Sequence, residues 1–173
     1  MKFKYMFFRR RLRNKLKKIK LIVTDVDGVL TNGSIGYSNK INGLKLFNVK
    51  DGLAVKLLKS NNINLAFISG GESEATSARA ESLSIKECHT NIEDKGLKII
   101  EIQESLGFSP ESTLYIGDDV NDLDVLPYVS LFIAPNDCNY KVEMKADLKL
   151  RAKGGEGVLR EICDILINIK NRI

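Results

Sequence analysis

Two acidic clusters in this chain each follow a short apolar run. Leu21-Ile22-Val23-Thr24 leads into Asp25-Val26-Asp27-Gly28-Val29, and Thr113-Leu114-Tyr115-Ile116 leads into Gly117-Asp118-Asp119-Val120-Asn121-Asp122. A buried strand that opens onto carboxylates sets them at its C-terminal end, where open α/β sheets bind their ligands. Asp25 and Asp27 would share one face if the strand continued, and Gly28 lets the chain turn sharply there. Like charges this close are costly unless a cation or a shared proton offsets them. Magnesium meets that need, because it prefers hard oxygen ligands. One acidic strand end is a weak signal. Two converge on a common cation if their strands are neighbours. Helix N-capping by Asp118 or Asp119 accounts for one acid of the second cluster but not for all three.

Two further strand ends carry candidate anion-binding groups. The apolar run 63–68 ends in Ser69-Gly70-Gly71, where a hydroxyl and flexible backbone N–H groups before a helix form a natural phosphate seat. Ordinary loop chemistry is the plainer reading of the same residues. Lys95 falls in the first turn of a helical pattern, against the preference set by the helix dipole, which favours a role as a phosphate point charge over a surface lysine. Asp51 can simply start a helix. His89 is the only histidine, so a His-clustered metal site is excluded, and its loop position reads as incidental. Cys88, Cys138 and Cys163 form neither a disulfide framework nor a zinc pattern and suit a reducing cytoplasm.

The elements that must position these groups alternate along the chain. Apolar, β-branched runs at 21–24, 63–68, 85–88, 113–116 and 131–134 read as strands buried on both faces. Helical patterns lie near 51–60, 72–83, 94–106, 120–127 and 156–169; in the last, Val158, Leu159, Ile162, Ile165, Leu166 and Ile169 form one stripe. Such alternation implies a Rossmann-like α/β fold: a parallel sheet with helices on both faces. Residues 33–49 break it. Asn42-Gly43 is a strong turn dipeptide, so this stretch reads as a β-hairpin inserted after the first strand. Apolar residues fall on both faces of Leu44-Lys45-Leu46-Phe47-Asn48-Val49, which suggests an oligomer interface.

The net charge of +5 divides unevenly over the 173 residues. Residues 1–20 hold ten basic side chains and no acid, leaving 17 basic against 22 acidic in the remainder. The chain therefore divides into a basic extension, 1–19, and one domain, 20–173. The extension reads first as solvated, with a short amphipathic helix available through Leu12, Leu16 and Ile19. Contact with a membrane surface or nucleic acid is the lesser reading, and the acidic body gives no reason to expect a nucleic-acid partner. No apolar run is long enough to span a bilayer.

A carboxylate pair, a hydroxyl, a lysine and an acidic cluster at four successive strand ends resemble the haloacid dehalogenase superfamily of phosphotransferases. The resemblance rests on Asp25-Val26-Asp27-Gly28-Val29-Leu30-Thr31, Ser69, Lys95 and Gly117-Asp118-Asp119, and covers residues 20–169. Asn32-Gly33 with the following hairpin, Phe47-Asn48-Val49-Lys50-Asp51-Gly52, and Lys153-Gly154-Gly155-Glu156-Gly157-Val158-Leu159-Arg160-Glu161 narrow it. These look like the minimal-cap 3-deoxy-D-manno-octulosonate 8-phosphate phosphatases of bacterial surface polysaccharide synthesis. Relatives with the same signature act on sialic-acid-like 9-phosphates or form a weakly active tetramerisation domain of sialic acid cytidylyltransferases.

The resemblance implies a magnesium-dependent phosphatase, a homotetramer, with Asp25 as nucleophile and Asp27 as general acid and base. It implies that Asp25, Asp118 and the backbone carbonyl of Asp27 hold the metal, and that Ser69, Gly70 and Lys95 cradle the phosphate. Asp119 and Asp122 are expected to orient metal waters or Lys95. Arg160 is expected to meet the sugar's carboxylate or, as a structural alternative, to pair with Glu156. The Gly154–Gly157 loop either leads into the last helix or closes the site. Phosphatases of this group often carry Arg after the Ser/Thr-Gly pair, where this chain has Gly71.

Overall fold

The computed structural model describes residues 2–37 and 42–171, with side chains for 10–37 and 43–171. Five parallel strands, β1 (Leu21–Thr24), β4 (Asn64–Ile68), β5 (Glu87–His89), β6 (Thr113–Ile116) and β7 (Leu131–Ala134), are joined by a short sixth, β8 (Leu148–Lys149). Their order is β5-β4-β1-β6-β7-β8. The chain leaves β1 for β4 on one side and later returns to β6 on the other. This reversal is the topological switch point at which such sheets open a crevice.

Both faces of the sheet are buried, which explains the unbroken apolar runs. Ile22, Phe67, Leu114, Ile116 and Ile133 pack on one side with residues of α2 (Val49–Ser60) and α6 (Val158–Asn171). Leu21, Val23, Ala66, Tyr115 and Phe132 pack on the other with Ile99 and Ile102 of α4 (Lys95–Leu106). α3 (Glu74–Ser82) starts at an N-cap, Ser73, whose hydroxyl accepts from the Thr76 N–H. The expected helix at 120–127 is instead a 3-10 segment, Val120–Tyr128, with Pro127 inside it; proline lacks the N–H that an α-helix needs there. β8 and the single turn α5 (Tyr140–Glu143) are too short to show in the apolar pattern.

The N-terminal segment departs from a solvated extension. It folds as α1 (Lys2–Lys18), which packs on α6. Leu16 and Ile19 are fully buried, and Lys15 Nζ donates to the Ser130 carbonyl at 2.7 Å. The apolar positions of the amphipathic helix thus complete the core, while Arg10, Arg11, Lys17 and Lys18 remain exposed.

The inserted hairpin is present as β2 (Gly36–Tyr37) and β3 (Asn42–Leu44), paired antiparallel. Asn42-Gly43 does not form its turn. Gly36 pairs with Leu44 and Tyr37 with Asn42, so Gly43, at φ +74°, is the extra residue of a bulge. The connecting residues 38–41 lie outside the described ones. Among the described residues no helix is long and apolar enough to cross a membrane.

Candidate active site

The ends of β1, β4 and β6 lie side by side, and the site is built on them. Asp25 continues β1, its N–H donating to the Ile116 carbonyl at 2.9 Å. Lys95 opens α4 after the N-cap Asp94 and reaches in from beyond β5. Its side chain is 2% exposed, and its ammonium lies 2.9 Å from Asp25 Oδ1 and 2.7 Å from Asp122 Oδ1. Burial pulls the Lys95 pKa down, but the two carboxylates outweigh it and hold it above the usual value.

One carboxylate oxygen from each of Asp25, Asp118 and Asp122 lies within 4.8 Å of the others. Burial, then the charge of Asp122, raises Asp25 to about 6, with Lys95 opposing. Burial, then the charges of Asp25, Asp122 and Asp119, raises Asp118 to about 8. Three carboxylates against one ammonium is an excess of buried negative charge that a cation would offset. Asp122 has no lone pairs facing outward to spare. Its Oδ1 accepts from Lys95 and from Tyr115 Oη at 2.6 Å, and its Oδ2 accepts from the N–H groups of Asp118 and Asp119. It is therefore the post on which Lys95 and the Asp118 loop are hung. Asp119 caps the 3-10 segment, its Oδ1 accepting from the Val120 N–H at 2.7 Å.

Gly28 is required twice over. Its φ is +90°, and a Cβ there would stand 2.1 Å from Asp118 Oδ2. The turn after Asp27 is thus the floor on which the Asp118 carboxylate rests. Asp27 is held from two sides: Lys45 Nζ donates to its Oδ2 at 2.7 Å, and Thr31 Oγ1 to its Oδ1 at 3.3 Å.

Ser69 follows β4, 1% exposed, with its hydroxyl donating to the Gly71 carbonyl at 3.3 Å. Gly70 and Gly71 are exposed beside it. The glycine loop before α6 packs on the back of the Gly28 turn: a Cβ on Gly154 would lie 2.2 Å from the Gly28 carbonyl oxygen. Asn48 ties this loop to α2, donating from Nδ2 to the Gly155 carbonyl while Oδ1 caps α2 through the Lys50 N–H. Asp51 does more than start α2. Its Oδ1 accepts from the Arg160 N–H at 2.9 Å and so caps α6. Arg160's guanidinium pairs with Asp164, one turn on, rather than with Glu156. His89 Nε2 lies 2.9 Å from Glu87.

The comparisons with known proteins point one way. The chain is 35% identical over 155 residues to the 3-deoxy-D-manno-octulosonate 8-phosphate phosphatase of Yersinia pestis, covering 90% of this chain and 83% of that protein. The chain belongs to the 3-deoxy-D-manno-octulosonate 8-phosphate phosphatase family of the haloacid dehalogenase superfamily. A haloacid dehalogenase superfamily (subfamily III A) hydrolase from Legionella pneumophila superposes with a TM-score of 0.93 at 34% identity, covering 98% of this chain and 93% of that one. The Moraxella catarrhalis octulosonate phosphatase, crystallised with magnesium, phosphate and the octulosonate sugar, superposes with a TM-score of 0.88 at 32% identity, covering 92% of each chain. No family model matches.

Three contributors to this site escape a reading of the sequence. Tyr115 looks like one more apolar strand residue, yet its hydroxyl anchors Asp122. Lys45 sits in a run with apolar residues on both sides, and nothing local says that Leu44 and Leu46 face outward while Lys45 faces in. Its signal is a charge at the alternate position of a strand-like segment. Thr76 completes the Lys45 contact at 3.3 Å from a helix with no other mark of function.

Proposed function

We propose that this chain is a magnesium-dependent phosphatase of 3-deoxy-D-manno-octulosonate 8-phosphate that carries the phosphoryl group on Asp25. The observation that carries this reading is the convergence of Asp25 and Asp118 oxygens within 4.8 Å beside a buried lysine, in a chain of this family. Carboxylate oxygens are the hard ligands that magnesium prefers. Asp25, Asp118 and the backbone carbonyl of Asp27 would hold the ion, with Asp122 fixing the frame. Bound there, magnesium neutralises the repulsion between the phosphate and the attacking carboxylate.

The Asp25 carboxylate forms a bond to phosphorus as the bond from phosphorus to the sugar oxygen breaks, and Asp27 gives its proton to that oxygen. Asp27 then takes a proton from water as the water oxygen attacks phosphorus and the bond to Asp25 breaks, releasing phosphate. Lys95, with Ser69 and the backbone of Gly70, seats the phosphoryl oxygens. Arg160, paired with Asp164 on a half-exposed helix turn, would meet the sugar's carboxylate. The hairpin and the start of α2 that follows it support assembly of several copies, a tetramer by family likeness: Tyr37, Leu46 and Val49 are 79%, 75% and 85% exposed. The three free cysteines suit a reducing cytoplasm.

The test is phosphate release from a panel of sugar acid phosphates, with magnesium and with a chelator. Magnesium-dependent release that is fastest on the octulosonate 8-phosphate is expected. Preference for a nonulosonic acid 9-phosphate would reassign the substrate, and no release from any sugar phosphate would refute the reading.

A further inference from the structure

Lys45 is an anomaly by placement. Lysine is among the residues least often buried, yet its side chain is 3% exposed. It lies just past β3, between Leu44 and Leu46, which are 52% and 75% exposed. The pleat is thus inverted, with apolar side chains outward and the charge inward. Its ammonium ends 2.7 Å from Asp27 Oδ2 and 3.3 Å from Thr76 Oγ1 of α3. From the other side, the Thr31 hydroxyl reaches Asp27 Oδ1 at 3.3 Å.

A carboxyl on a half-exposed turn would otherwise rotate freely about its side-chain bonds. A group that must hand a proton to a leaving oxygen, and later take one from water, has to stay within hydrogen-bond reach of that oxygen. Misplacement by about 1 Å can cost on the order of a hundredfold in rate. The hairpin insertion supplies a cationic arm that fixes the plane of this carboxyl, and α3 fixes the arm.

We infer that Lys45 is the positioning residue for Asp27, setting the acid–base group by a buried contact delivered from the inserted hairpin. This rests on the reading of Asp27 as that group in a phosphatase. Lys45 touches the reaction only through Asp27, so its loss should tell most where the leaving oxygen needs a proton.

The experiment compares Lys45→Met, Lys45→Arg and Thr76→Val with the unaltered full chain in saturating magnesium, on two substrates. One is the octulosonate 8-phosphate, whose sugar alkoxide is a poor leaving group. The other is p-nitrophenyl phosphate, whose phenolate leaves without a proton. For Lys45→Met, the first-turnover rate of sugar release should fall on the order of a hundredfold with substrate affinity nearly unchanged, and the first-turnover rate of p-nitrophenolate release should stay within about threefold, because the water step that also uses Asp27 comes after both. Lys45→Arg should recover part of the loss. Thr76→Val should shift the ratio of the two rates in the same direction by a smaller factor, which keeps the test alive if Lys45→Met does not fold. An equal fall on both substrates, or no fall on either, would overturn the assignment of Lys45. An unaltered chain inactive on both substrates would instead refute the phosphatase reading itself.

Discussion

Magnesium binding to this site should be a proton-releasing event with a calculable pH profile. In the metal-free protein Asp25 is raised to about 6 and Asp118 to about 8 by burial and mutual repulsion. Both must be ionised to hold a hard cation, so protons compete with the ion. Relative to its alkaline limit, affinity should fall about twelvefold at pH 7 and about two-hundredfold at pH 6, treating the two steps as properties of the pair. Calorimetric titration of magnesium at pH 6, 7, 8 and 9, in buffers of different ionisation enthalpy, measures affinity and proton release together. About one proton per ion should be released near pH 7, rising towards two below pH 6. Asp118→Asn should weaken binding and remove the dependence between pH 7 and 8. An affinity flat from pH 6 to 8, with no proton release, would refute the reasoning, because it would mean that these carboxyls are either already ionised or not the ligands.

Two more predictions concern stability. Asp51 is 4% exposed, its Oδ2 lacks a hydrogen-bond partner among the described residues, and burial raises its pKa from 3.8 to about 6, with the Arg160 N–H and Arg79 opposing. A raised folded-state pKa gives stability that is complete below pH 4 and lost as pH rises through 6, a swing of about 3 kcal/mol at most. Urea unfolding should show Asp51→Asn gaining on the wild type by up to that amount between pH 4 and 7; a difference that does not change with pH would contradict it. Leu16→Ala should lower unfolding free energy by about 2–5 kcal/mol, because Leu16 is 2% exposed in the core. A loss below about 0.5 kcal/mol in the same assay would show α1 to be detached from the body in solution.

The parts of the site that could be read from the sequence are those where composition changes abruptly along the chain. Asp25 and Asp118 stand out because each follows a short, fully buried strand, and Lys95 because it sits at a helix start that local electrostatics disfavour. Gly28 was legible as a turn, but its second duty, clearing space for Asp118, arises only when β1 and β6 are neighbours. The parts that could not be read depend on which face of an element is inside. Lys45 has the same apolar neighbours whichever way the strand faces, and Leu16 has the helical spacing of any amphipathic segment until α6 provides a surface for it. Asp51 and Arg160 show a related limit. Asp51 sits in the first turn of α2 yet caps α6, far along the chain, and Arg160 had acidic partners available one turn to either side, Glu156 and Asp164. Packing, not spacing, chose between them.

The proposed phosphatase reaction requires Asp25 to accept the phosphoryl group. Acid quenching of the enzyme during turnover of octulosonate 8-phosphate with magnesium, followed by mass analysis of the peptide containing residue 25, reads this directly. One phosphoryl group on Asp25, absent in Asp25→Asn together with turnover, is the predicted result. Rapid turnover with that peptide never phosphorylated, or an Asp25→Asn protein as fast as the unaltered chain, would contradict it.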